Sequence, residues 1–172
     1  KAGIYCFLIG QNSNYSDIKK NKNVFDTTNI KLTKYERECL QIYIWSHSKF
    51  FIGSNSGGSE PAGTFDVPTI WLDCFPAFNN RGRSVKDHVL PKRIYSSKLG
   101  RFLKLSELLD QTYWESQPMH EDPLHFKEKG YELYSCKLDK VEQSINDMIS
   151  QCEKNLKKTN QNGKDISFSK LR

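Results

Sequence analysis

The sequence predicts a mixed α/β fold built on a parallel sheet. Two observations carry that reading. Apolar runs short enough for strands recur at Ile4–Ile9, Lys49–Gly53 and Pro68–Leu72, and helical stretches separate them. Between the last two runs lies a loop without a bulky side chain, Ser54-Asn55-Ser56-Gly57-Gly58-Ser59. A strand, a small-residue turn, a helix and a second strand make a crossover unit.

The elements follow in order. Ile4–Ile9 is continuously apolar, as in a strand buried on both faces, and ends at Gly10-Gln11-Asn12. Asn23–Asp26 reads as a short second strand. Thr33 followed by Glu36 forms a capping box, so a helix is expected from Lys34 to about His47, with Leu40, Tyr43, Ile44 and His47 on one face. Lys49–Gly53 is the next strand, residues 54–59 open a helix, and Asp66 turns the chain into Pro68–Leu72. Residues 73–91 look irregular, being punctuated by Pro76, Gly82 and Pro91. Arg93–Tyr95 reads as a strand, Ser106 as the cap of a short helix, and residues 113–130 as loop. Asp139 to about Leu156 forms an amphipathic helix with Val141, Ile145, Met148, Ile149 and Cys152 inward. Residues 1–156 are thus one domain and residues 157–172 a basic tail.

With 37% hydrophobic and 12% aromatic residues, the chain can build a core. Its net charge is +6, but residues 153–172 carry six cations against two anions, so the surplus is mostly a tail property. A solvated tail is the plainer reading, and no nucleic-acid partner is expected. Five scattered cysteines with no C-x-x-C pair fit reduced, structural thiols, with Cys6 inside a buried strand. No apolar run is long enough for a transmembrane helix. Lys1-Ala2-Gly3 resembles a helix end, which leads us to expect a piece of a longer protein.

The loop at 54–59 could cradle a phosphate through backbone N–H groups, aided by the positive end of the helix it opens. A tight strand-to-helix turn would need the same small residues. It has neither the Lys-Ser/Thr of a P-loop nor the Gly-x-Gly-x-x-Gly spacing of a dinucleotide site. Glu60, in the first turn, complements the helix dipole or accepts from a ribose diol. Gly10 and Gln11 would close the other side of a cleft at the strands' carboxyl ends. Asp87 and His88, near the same edge, are weak catalytic candidates, and Lys92 and Arg93 could neutralise phosphate charge. His120, Glu121, Asp122 and His125 match no metal-ligand spacing, and no metal site is expected. Trp45, Trp71 and Trp114 read as core.

Phe51-Ile52-Gly53-Ser54-Asn55-Ser56-Gly57-Gly58, followed by Phe65-Asp66-Val67-Pro68-Thr69-Ile70, resembles the donor-site region of GT-B glycosyltransferases. It is most similar to bacterial surface-polysaccharide enzymes related to heptosyltransferases. Asp87–Lys92, Gly100–Leu103, a Tyr-Glu-Leu stretch before the last helix and the opening Gly3–Gly10 also fit that pattern. The chain departs from it where Asn55 and Gly58 replace the acid and the proline of an Asp-Ser/Thr-Gly-Pro loop. Ser-Gly-Gly-Ser-Glu-Pro-Ala is also similar to a loop of UDP-N-acetylglucosamine 2-epimerases, with Glu60 one place out of register.

The resemblance implies a Rossmann-like, three-layer α/β/α domain with a parallel sheet, the C-terminal half of a GT-B enzyme. It implies a nucleotide-sugar donor held by Gly10, Gln11, Ser54, Asn55, Ser56, Gly57, Gly58, Ser59, Glu60 and Lys92, with no cofactor. The acceptor would be a glycan or lipid-linked sugar, and the base would sit in an N-terminal half. The location implied is cytoplasmic, with room for peripheral attachment at the inner face of the membrane. A sugar epimerase or hydrolase on the same fold, or a non-catalytic domain binding phosphorylated partners, remains the alternative.

Overall fold

A computed structural model describes residues 4–10, 21–54, 60–77, 84–115 and 123–161. Among them the chain is mixed α/β with parallel strands. β1 (Cys6–Leu8) pairs in parallel with β2 (Val24–Asp26). β3 (Phe51–Gly53), β4 (Thr69–Cys74) and β5 (His88–Pro91) form a second, three-stranded parallel sheet. β6 (Arg93–Ser96), β7 (Arg101–Phe102) and β8 (Tyr131–Tyr134) form a third, antiparallel one in the order β7-β6-β8.

That third sheet was not expected, and its cause is a short connection. Only Lys92 separates β5 from β6. A parallel neighbour needs a crossover of a dozen or more residues, so the chain can only pass into a different sheet.

The capping box forms as the sequence indicates. α1 spans Lys34–His47, Thr33 Oγ1 accepts the Glu36 N–H at 3.3 Å, and the Glu36 carboxylate accepts the Thr33 N–H at 2.8 Å. Its buried face differs from the expected one. Ile44 and Trp45 point inward, whereas Tyr43 and His47 stack on each other outside at 4.1 Å. Trp45 packs with Ala62 of α2 (Glu60–Thr64), Val67, Ile9 and Phe51. Gly53 makes this packing possible, because a Cβ there would stand 2.5 Å from the Phe51 ring.

α6 (Leu138–Gln161) runs past the expected end near Leu156. It lies on the second sheet through Met148, which is fully buried, and through the half-buried Val141, Ile145, Ile149 and Cys152. Two polar ties fix it there. His88 Nδ1 and Ser144 Oγ are 2.8 Å apart, and the Cys152 thiol donates to Lys49 O at 3.4 Å.

A second core fills the space behind the third sheet. Ile94, Leu108, Trp114, Phe126 and Ala77 form it, with Phe75 set edge-on to Trp114 and Phe126. Three helices supply much of it: α3 (Leu105–Leu108), α4 (Gln111–Glu115) and α5 (Pro123–Glu128). The last two fall where loop was expected. Asp110 Oδ1 accepts the Tyr113 N–H at 2.9 Å and so starts α4, and Pro123 occupies the first position of α5, where its missing N–H costs nothing. α3 begins one residue before its expected cap, Ser106. The Glu107 carboxylate accepts the Lys104 N–H at 2.6 Å instead.

Two further expectations fail. The first strand is not buried on both faces: Cys6 is exposed, and Tyr5, Phe7 and Phe25 form a half-exposed aromatic row. Residues 88–91 are a strand rather than irregular chain. Pro91 is tolerated there because β5 is an edge strand and Pro91 is its last residue. The three tryptophans are buried, as expected.

Candidate functional site

Several expected site residues follow the carboxyl ends of strands in the two parallel sheets. β1 runs out into Gly10, whose φ of +121° is a conformation glycine adopts freely. β2 ends at Asp26, and the following loop folds back onto β1, since Thr27 donates to Leu8 O through both its N–H (3.1 Å) and its hydroxyl (2.7 Å). Asp26 accepts from Thr28 N at 3.0 Å and Asn29 Nδ2 at 2.6 Å, and Arg37 donates to Ile30 O at 3.0 Å. This loop bounds a shallow, open cleft of about 630 Å³, lined by residues 28–33 with Glu36 and Arg37.

β3 ends at Gly53-Ser54, and α2 begins at Glu60, which is exposed. Asn55, Ser56, Gly57, Gly58 and Ser59 lie outside the described residues, as does Gln11. Lys92 stands at the end of β5, with its N–H donated to Cys74 O at 3.1 Å. Gly10 follows the end of β1 in one parallel sheet, and Ser54 and Lys92 follow the ends of β3 and β5 in the other.

Asp87 and His88 do not join them. The register pairs Ile70 with His88, so both residues stand at the amino edge of the sheet. Asp87 is built into that edge: Oδ1 accepts the Thr69 N–H at 2.9 Å, while Oδ2 accepts from Ser84 N at 3.3 Å and Trp71 Nε1 at 3.4 Å. His88 faces Ser144 of α6, itself buried. Both positions are explained by packing. Of the clustered His120, Glu121, Asp122 and His125, the first three lie outside the described residues. Among the described residues no group of three or more His, Cys, Asp or Glu could hold a metal ion.

One carboxylate at the carboxyl edge was not singled out. Asp73, the fifth residue of β4, has φ +52°, at a register shift between Leu72 and Cys74. Its Oδ1 accepts the Cys136 N–H at 2.7 Å from 63 residues away. Partial burial works against its charge. That effect is outweighed by bonds from the Cys136 N–H and the Ser135 and Cys136 side chains, aided by the Lys92 charge, so the carboxyl lies below the usual aspartate range. Burial and the same carboxylate push the Cys136 thiol up. The signal for Asp73 was its place: an acid at the end of an apolar strand in a parallel sheet.

No family model, curated protein or solved structure matches the chain. Among the described residues no helix is long and apolar enough to cross a membrane.

Chemically, the edge combines backbone turned through glycine, a lysine, and a carboxylate held in its charged form. The glycine-turned backbone and the lysine suit the binding of an anion, whereas the charged Asp73 carboxylate offsets part of the Lys92 charge.

Proposed function

We propose that this chain is the nucleotide-sugar-binding unit of a GT-B-type glycosyltransferase, with a Rossmann-like domain as its framework. The observation that supports this reading is that expected site residues follow the carboxyl ends of strands in both parallel sheets. Gly10, the 27–33 loop with its cleft, Gly53-Ser54 leading into the small-residue loop, and Lys92 all stand where parallel sheets bind ligands.

In this reading the backbone N–H groups of Ser56, Gly57 and Gly58 hold the donor diphosphate. Lys92 and Arg93 add positive charge, and the same donors stabilise charge developing on the departing nucleoside diphosphate. Glu60 contacts the ribose. The glycan or lipid-linked acceptor, and the base that deprotonates its hydroxyl, belong to a partner domain. The protein would work in the cytoplasm, at the membrane face where such acceptors are presented.

Isothermal titration of the chain with UDP-, GDP-, CMP- and ADP-sugars tests the reading. Saturable binding of one nucleotide class, weakened when Gly57 is replaced by a bulky residue, is the expected result. Absence of binding to all four overturns it.

A further inference from the structure

We propose that Asp73 is a positioning residue of the carboxyl-edge site, locking the joint between β8 and α6 against the end of β4 and so fixing Lys92 and Arg93 at that edge. The inference rests on the nucleotide-sugar reading, which supplies the reason for holding two cations there.

Three remote segments meet at this point. The end of β4 contributes Asp73 and Cys74, the β5–β6 connection contributes Lys92 and Arg93, and the joint before α6 contributes Ser135 and Cys136. Each segment is tied to another by a direct bond. Asp73 Oδ1 accepts the Cys136 N–H at 2.7 Å. Arg93 Nε donates to Ser135 O at 3.0 Å. The Lys92 N–H is donated to Cys74 O at 3.1 Å. The circuit closes around the junction of the parallel and antiparallel sheets.

The backbone at Asp73 argues that the residue is there for this contact. A φ of +52° is costly for a side-chain-bearing residue and persists only where its surroundings enforce it. Glycine would adopt it more freely, but could not reach Cys136. The turn aims a carboxylate that an ordinary strand end would leave elsewhere. The guanidinium of Arg93 is in turn steadied by two rings, 4.8 Å from the centroid of Phe102 and 5.9 Å from that of Tyr134. Arg93 and Asp73 thus both hold the joint between β8 and α6, one at Ser135 and one at Cys136. Releasing Asp73 leaves that joint on one tie and frees the cations to move.

The test uses inorganic pyrophosphate as the probe, titrated calorimetrically into the chain, with hydrogen exchange read at the Cys136 amide. Asp73→Ala should bind pyrophosphate about tenfold more weakly and exchange at Cys136 about tenfold faster. Asp73→Asn keeps an oxygen that can accept the Cys136 N–H, and should return both readouts to within about threefold of the wild type. A general loss of fold would show as lost protection throughout β4, in which case Asp73→Asn decides.

Three results overturn the proposal. Equal pyrophosphate affinity in the wild type and Asp73→Ala, with faster exchange at Cys136, would make the tie purely architectural and leave the nucleotide-sugar reading standing. Weak binding by Asp73→Asn with Cys136 still protected would show that holding the joint does not set the affinity. A wild type that binds no pyrophosphate while Cys136 stays protected would remove the anion site, and with it both readings.

Discussion

Asp73 and Asp87 stand at opposite ends of the same parallel sheet, and each accepts backbone N–H groups, yet they serve different purposes. Asp87 closes the amino edge through nearby groups, Thr69 N, Ser84 N and the Trp71 indole. Asp73 reaches from the carboxyl edge to Cys136, in a part of the chain that belongs to another sheet. One acid finishes a strand pair, whereas the other joins two halves of the domain beside Lys92. In a parallel sheet the two ends are chemically distinct, because crossover connections leave the strands' carboxyl ends free to bind ligands. The same residue type therefore means packing at one end and, in the proposed reading, site organisation at the other.

The most damaging way to break the contrast is to remove what the two ends share. Ile70 lies in the central strand between them and is fully buried. Ile70→Ala should cost about 2–5 kcal/mol in denaturant unfolding. Exchange protection at Thr69 and Cys136 should fall together. Loss at one end alone would show that the two edges unfold independently.

Asp87→Ala comes next. It leaves the Thr69 N–H at the amino edge without its acceptor, and should destabilise by about 1–3 kcal/mol. Pyrophosphate affinity should not change, because the proposed site lies at the other end. A tenfold loss of affinity without unfolding would return Asp87 to the site and erase the distinction.

Sequence reasoning singled out Asp87 and passed over Asp73, for a physical reason. Asp87 precedes a histidine, a pairing that suggests acid–base chemistry, and it lies in a stretch where Pro76, Gly82 and Pro91 mask a strand. Once residues 88–91 are a strand, Asp87 must sit at its beginning. Asp73 carries its meaning in a contact 63 residues away, which no local pattern displays. What was legible was local: the capping box of Thr33 and Glu36, the apolar runs of β3 and β4, and the 3.6-residue period of α6. The antiparallel sheet escaped because its strands are short and β6 pairs with β8 across a long separation, as Arg93 does with Tyr134. Of the expected site residues, Gly10, Ser54 and Lys92 were legible as residues at strand ends.

A smaller effect separates the amino edge from the helix that covers it. Ser144→Ala removes the partner of His88 Nδ1 on α6 while leaving Asp87 and its three donors in place. The expected cost is about 1 kcal/mol, measured by urea unfolding. A larger loss, shared with faster exchange at Thr69, would mean that α6 and the amino edge form one cooperative unit.

The smallest effect should come from acid, and it is specific to the carboxyl edge. The folded Asp73 carboxyl titrates below the ordinary aspartate value because Cys136 and Ser135 donate to it and Lys92 lies close. Its contribution to stability is therefore complete above about pH 4 and is lost as the pH falls through the lower, folded midpoint. Asp73→Asn has no such proton to gain. The thermal midpoints of wild type and Asp73→Asn should stand apart at neutral pH and converge as the pH falls below about 4. The gap should be narrow, since the group is only partly buried and its charge is partly screened. A gap that stays constant down to about pH 2 would mean that the tie to Cys136 does not depend on the charge of Asp73.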